Sequence, residues 1–176
     1  MQRQELYGGA METQLAAPLL DASNLRVVPD HQEVFVERDG HDSAIIELLA
    51  REGEVPDAGI CEHLFKDIGE ANDAESCEVL QVLPLNGLGL MPHFPDAKFS
   101  KWALAGRQRV LKDHKVDTVQ MVLVCVRLVE AASELAITLN HPGDSALQFT
   151  AQCLGNEWFT ALVHNLKVND WGLFAA

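Results

Sequence analysis

Between Met121 and Leu128, within the segment TVQMVLVCVRLVE (residues 118–130), the chain is apolar on both of the faces that a strand presents in alternation. Successive strand side chains point to opposite sides of a sheet, so this segment is stable only as a central strand covered on both faces. Packed layers must therefore lie above and below the sheet to which it belongs.

The flanking sequence supplies the other elements. Residues 131–133 are short enough for a hairpin, and Leu135, Ile137 and Leu139 alternate with Ala136, Thr138 and Asn140 in its second arm, which Pro142-Gly143 ends. Upstream, 98–112 carries Trp102, Leu104 and Val110 at even spacing and reads as a strand with room for a bulge at Gly106, followed by a hairpin loop over 113–117. Residues 79–83 form a strand that Pro84 stops, 70–78 an acidic turn region, and 85–97, with its glycines and prolines, an irregular surface loop. Ile60, Leu64 and Ile68 recur at helical spacing with Cys61 and Phe65 beside them, predicting a helix of about three turns stopped at Gly69. Leu154, Trp158, Leu162 and Leu166 predict an amphipathic helix over 147–167. Trp102 and Trp158 lie on apolar stripes and are expected in the core, with Trp171 folding back on a sheet edge. Hairpin-linked strands with one helix in the middle and one at the end give an α+β fold, an antiparallel sheet between helical layers, in one domain spanning 1–176.

A chain of 176 residues can bury one core covering about 70% of its unfolded surface. With 26 acids against 13 bases it carries a formal charge of −13, which opposes binding to nucleic acid or anionic membrane and favours a basic protein surface as partner. The first residues, MQRQELY, lack a signal-peptide core, and no apolar run is long enough to span a bilayer, so a soluble intracellular protein is expected. Cys61, Cys77, Cys125 and Cys153 contain no C-x-x-C pair and read as free thiols of a reducing compartment.

Catalytic constellations are hard to find by spacing. His41, Asp42 and Ser43 are triad residue types side by side, but consecutive residues of an extended chain point in opposite directions and cannot line up. Cys61 and His63 are two apart on a helix, where two ligands of one metal need a spacing of three or four. Neither a nucleophile-elbow motif nor a phosphate-binding loop occurs, and the Gly87-Leu88-Gly89 run lacks the third glycine and helix of a dinucleotide site. No enzymatic activity, cofactor or metal is expected.

The informative stretch is DASNLRVVPDHQEVF, residues 21–35. Pro29 fixes its own φ and holds Val28 out of the helical region, so the chain runs extended and turns Asp30 and His31 outward. Beyond it the residues alternate, Val34 and Val36 on one face and Phe35 on the other, as in a strand. An acidic loop feeding a strand is a natural recognition surface, although Asp30 as a turn cap and Glu33 as a solvated edge residue fit the same pattern. If 33–36 pairs with 43–49, the carboxylates of Asp21, Asp30, Glu33 and Glu47 are expected on one rim.

Together with LYGGA (6–10) and SAIIELLA (43–50), this stretch resembles the Ran guanine-nucleotide release factors, the Mog family of small Ran-binding proteins, and the likeness returns in Glu62-His63 to Asp67 and in Asp170 to Phe174. Ala50 stands where the family has an acid, and Glu52 follows two residues later. The resemblance implies an α/β/α sandwich around a roughly six-stranded, mainly antiparallel sheet. It also implies a monomer of nucleus and cytoplasm that binds the GTPase Ran, promotes guanine nucleotide release and stabilises the nucleotide-free form in nucleocytoplasmic transport. The Ran-contacting residues so implied are Asp21, Arg26, Asp30, Gln32, Glu33 and Glu47. The alternative is an adaptor or trafficking chaperone for a membrane protein such as a sodium channel, with no effect on nucleotide.

Overall fold

The structure, a computed structural model, describes residues 1–16 and 18–175. Its strands are β1 (Gln2–Leu6), β2 (Met11–Leu15), β3 (Leu19–Asp21), β4 (Gln32–Glu37) and β5 (Ser43–Ala50), followed by helix α1 (Ile60–Ala71). Then come β6 (Ala74–Pro84), β7 (Ser100–Lys112), β8 (Lys115–Leu128), β9 (Ser133–Pro142), β10 (Gln148–Phe149), β11 (Leu154–Gly155), helix α2 (Glu157–His164) and β12 (Lys167–Val168). Seven strands form the main sheet in the order β3-β4-β5-β9-β8-β7-β6, with every neighbouring pair antiparallel. Because β5 pairs with β9 while β6 lies at the far edge, the connection through α1 has to cross one face of the sheet.

β8 is the doubly covered strand expected. Val122, Val124, Val126 and Leu128 join Phe35, Ile46 and Ile137 in one core, closed by α2 and the small β1-β2-β12 sheet. Met121, Leu123 and Cys125 face the other way, onto Ile60, Cys61, Leu64 and Phe65 of α1. The layers are thus helix, sheet, then helix plus small sheet, the sandwich that the sequence implies, with one strand more in the sheet. Burial raises the thiol pKa of Cys61 to about 12 and that of Cys125 well above the ordinary value, so both stay protonated as small apolar groups.

Four boundaries differ from the sequence expectation. α1 runs through Gly69 to Asn72 and Asp73 (φ +52) instead of stopping at the glycine. Gly69 is required for approach, since a Cβ there would collide with the sulfur of Cys77 on β6. The acidic segment taken as a turn region is the start of β6, an edge strand whose exposed Glu75 and Glu78 and two register breaks deter edge-to-edge pairing. The 113–117 loop is a two-residue turn, Asp113 and His114, both at positive φ as the twist of a hairpin demands. The final helix keeps only 157–164. Gly155 (φ +90) breaks the chain before it, and Asn156 caps it by accepting the Phe159 amide at 2.7 Å.

Two further expectations are corrected in the core. The glycine- and proline-rich loop after β6 is no mere surface loop, because Leu85, Met91 and Phe94 are fully buried. It is held by Lys101, whose buried ammonium donates to the Phe94 carbonyl at 2.6 Å and pairs with Asp96 at 2.7 Å. Trp158 is only half-buried, its ring against the core and its N–H donating to Glu37 at 2.9 Å. Trp102 is likewise half-buried and donates to Ser100 Oγ at 2.8 Å, while Trp171 stacks on Phe99 with centroids 5.9 Å apart.

Candidate functional site

α1 packs over β7 and β8, and between it and the strands β5 and β9 lies a groove of about 410 Å³. Its floor is Ile45 and Leu49 of β5 with Ala136 and Thr138 of β9, and its helical wall carries Leu64, Asp67 and Ile68. Glu47 and Gln32 line the strand side, and Glu52 closes the end beyond Ala50. Among the described residues, the lining holds three carboxylates and neither lysine nor arginine.

Glu47 and Gln32 face each other across the β4–β5 ladder, and the Gln32 amide donates to Glu47 Oε2 at 3.0 Å. His31 Nε2 stands 3.8 Å from the same oxygen. Glu52 arrives from the loop after β5, and its backbone is fixed from beneath. Arg127 of β8, 1% exposed, donates to the Glu52 carbonyl at 2.8 Å, the Val55 carbonyl at 2.6 Å and Asp57 at 3.1 Å, and it bonds Glu134 of β9 through Nε and NH2. The Glu52 amide in turn donates to Glu134 Oε1 at 3.2 Å. Every guanidinium donor therefore has an acceptor, which is the condition for burying such a pair without a large penalty. This clamp had no periodic signal in the sequence, because Arg127 and Glu134 become neighbours only through the β8–β9 register.

The expected single rim of acids does not form. Glu33 points to the face opposite Glu47, where its Oε1 accepts the Tyr7 backbone N–H at 2.7 Å. Adjacent residues of a strand point apart, so Gln32 and Glu33 cannot share a surface. Burial and the nearby charge of Asp21 raise the Glu33 pKa, partly offset by the Tyr7 N–H. Tyr7 also donates its hydroxyl toward the carbonyls of Ile46 (3.0 Å) and His31 (3.1 Å). Burial, with the charges of Glu33 and Glu47, pushes that phenol far upward, so it remains a donor. Asp21 caps the short turn at Ala22–Asn24, accepting from the Ser23 amide at 2.9 Å and its hydroxyl at 2.7 Å. Arg26 and Asp30 are exposed on the loop between, beside Leu25 (68% exposed) and Val27 (92% exposed), and this loop returns to the groove at His31.

Two polar clusters escaped the spacing arguments because each is completed by a carboxylate from another segment, Glu52 in one and Asp42 in the other. His63 stands 3.4 Å from Asp67 and 3.7 Å from Glu52 at the groove's end, whereas Cys61 points into the core. Asp42, His141 and Ser145 lie in a line, with 2.6 Å from Asp42 to Nδ1 and 3.1 Å from Nε2 to Ser145 Oγ. That line ties the β4–β5 turn to the end of β9, and Asp42 also meets the Asn156 amide of the α2 cap at 3.5 Å. A separate groove of about 690 Å³, lined by Phe99, Val129, Trp171 and Phe174, contains none of Asp21, Arg26, Asp30, Gln32, Glu33 and Glu47.

Comparisons with known proteins agree with this architecture. The Ran guanine nucleotide release factor of Bos taurus is 32% identical, covering 96% of this chain and 94% of its own, and that of Homo sapiens is 30% identical with the same coverage. The nuclear import protein MOG1 of Saccharomyces cerevisiae is 28% identical over 78% of this chain. The crystal structure of the Saccharomyces cerevisiae Ran-binding protein Mog1p superposes with a TM-score of 0.77 at 23% identity, covering 99% of this chain and 98% of the other. Residues 4–142 match the model of the family described as Ran-interacting Mog1 protein, and the chain belongs to that family.

Proposed function

We propose that this protein binds the GTPase Ran and promotes release of its guanine nucleotide, acting as a monomer in nucleocytoplasmic transport. The observation that carries the reading is near-full-length similarity to proteins named Ran guanine nucleotide release factors. It is supported by an acidic groove between α1 and β5, in a chain whose charge of −13 favours a basic partner surface. Gln32 and Glu47 form the docking centre, with Arg26 and Asp30 on the adjoining loop. Asp21 and Glu33 act from behind, by fixing that loop and the LYGGA turn.

A nucleotide-free GTPase presents a phosphate-binding lysine and backbone amides that have lost their anion. A carboxylate brought near that positive field stabilises the empty state, and contacts that disfavour Mg²⁺ and phosphate speed exchange. The test is to mix the protein with Ran carrying a fluorescent guanine nucleotide, in GDP and GTP forms, and follow the loss of signal. Release accelerated in proportion to added protein is expected. Release at the intrinsic rate in both forms would overturn the reading and leave the adaptor function.

A further inference from the structure

We propose that the groove between α1 and β5 is a socket for a single basic side chain, and that Glu52 forms its second anionic wall, opposite Glu47. Four observations converge on it. Residue 50, at the end of β5, is alanine, so the negative charge at this end of the groove comes from Glu52 and from Asp67 of the helix. The Glu52 backbone is held at both its amide and its carbonyl by the buried Arg127–Glu134 pair, so its carboxylate is presented from a fixed point. Among the described residues no lysine or arginine lines the groove: the imidazoles of His31 and His63 stand at its edges, and the guanidiniums of Arg51 and Arg127 are turned to the buried Glu134. The Thr138 hydroxyl, on the floor and 3% exposed, has no hydrogen-bond partner among the described residues.

A buried hydroxyl without a partner is a standing cost that a ligand donor can remove. The shape suits the same ligand. Ile45, Leu49 and Ile68 offer apolar surface for a methylene stem, and the carboxylates with Thr138 offer acceptors for a guanidinium or ammonium head. Charge complementarity selects a cation, and the absence of an aromatic lining argues for hydrogen-bonded recognition over a stacked ring. The identity of the donor as a residue of Ran rests on the function proposed above, whereas the socket itself does not.

The test uses the full chain and two probes. In heteronuclear NMR, n-butylguanidinium chloride is titrated against n-butanol and against sodium chloride at equal ionic strength. Saturable shifts at Gln32, Glu47, Leu49, Glu52 and Thr138 are expected with the guanidinium alone, weakened at least threefold in Glu52→Gln. Affinity for nucleotide-free Ran is expected to fall about tenfold in Glu52→Gln and to return when the acid is moved, in Ala50→Glu combined with Glu52→Ala. Absence of saturable guanidinium shifts, or wild-type behaviour of Glu52→Gln toward both probes, would overturn the socket. A protein that binds guanidinium but not Ran would keep the socket and overturn the functional reading.

Discussion

Glu33 accepts the backbone N–H of Tyr7 at 2.7 Å, and this bond joins the first segment shared with the family to the second. Part of the pattern that looks like recognition in the sequence is a latch. The LYGGA turn, with Tyr7 at φ +51, is locked to β4 through Glu33 and to β5 through the Tyr7 hydroxyl.

Glu33→Gln keeps an oxygen acceptor for Tyr7 while removing a half-buried charge that Asp21 repels. The carboxyl is protonated more readily in the folded than in the unfolded state, so its stabilising contribution is present at low pH and is lost as pH rises through the raised folded-state value. At neutral pH the Gln variant should melt at or above the wild-type temperature, with a flatter dependence from the ordinary carboxylate range upward. Glu33→Ala leaves the Tyr7 amide without its acceptor and should lose about 1–3 kcal/mol. Thermal melts at several pH values check both.

Arg127→Met leaves the buried Glu134 carboxylate with only the looser Arg51 contact at 3.5 Å and the Glu52 amide, and frees the loop that carries Glu52. Breaking one half of such a pair costs about 3–5 kcal/mol, and replacing both halves with apolar residues recovers most of that. Chemical denaturation should therefore show Arg127→Met far less stable than Arg127→Met with Glu134→Leu. The double variant should remain folded yet bind Ran weakly, because nothing then fixes Glu52.

Gly106 lies where a Cβ would come 2.7 Å from the Phe65 ring and 2.8 Å from the Glu78 carbonyl. Gly106→Ala must push α1 off the sheet or distort β6, and should cost about 1–3 kcal/mol. Phe65→Leu in the same chain should relieve part of it, a coupling that a double-mutant cycle in urea would measure.

Trp158→Phe retains the ring's contact with the core but gives up the 2.9 Å bond to the Glu37 carboxylate. Hydrogen bonds to charged groups contribute about 1.5–3 kcal/mol. A drop of that size is expected for Phe and a larger one for Ala, read from melting curves at fixed pH.

The strands and layers were legible where burial is two-sided or strictly alternating, as at 121–128 and 135–139, because only one environment satisfies such a pattern. Exposed β6 was not legible before residue 79, since an edge strand needs no apolar alternation. The i, i+4 repeat from Leu154 to Leu166 overstated α2, because buried positions persist through a hairpin and a turn on either side of eight helical residues. For the site, the loop 21–35 and Glu47 could be singled out, but their sidedness could not be fixed without the register Gln32↔Glu47. Glu52, Asp67 and Thr138 are brought together only by α1 crossing the sheet, and no local spacing encodes that.

The most direct measurement is the affinity of nucleotide-free Ran, by calorimetry at physiological salt, for the wild type, Glu47→Gln and Phe99→Ala. Glu47 lines the acidic groove, and Phe99 lines the separate aromatic one. A carboxylate buried against a basic partner costs about 2 kcal/mol or more when neutralised, so Glu47→Gln should bind at least tenfold more weakly, with Phe99→Ala close to wild type. Wild-type affinity for Glu47→Gln together with a large loss for Phe99→Ala would place Ran on the aromatic groove and contradict docking at the groove between α1 and β5.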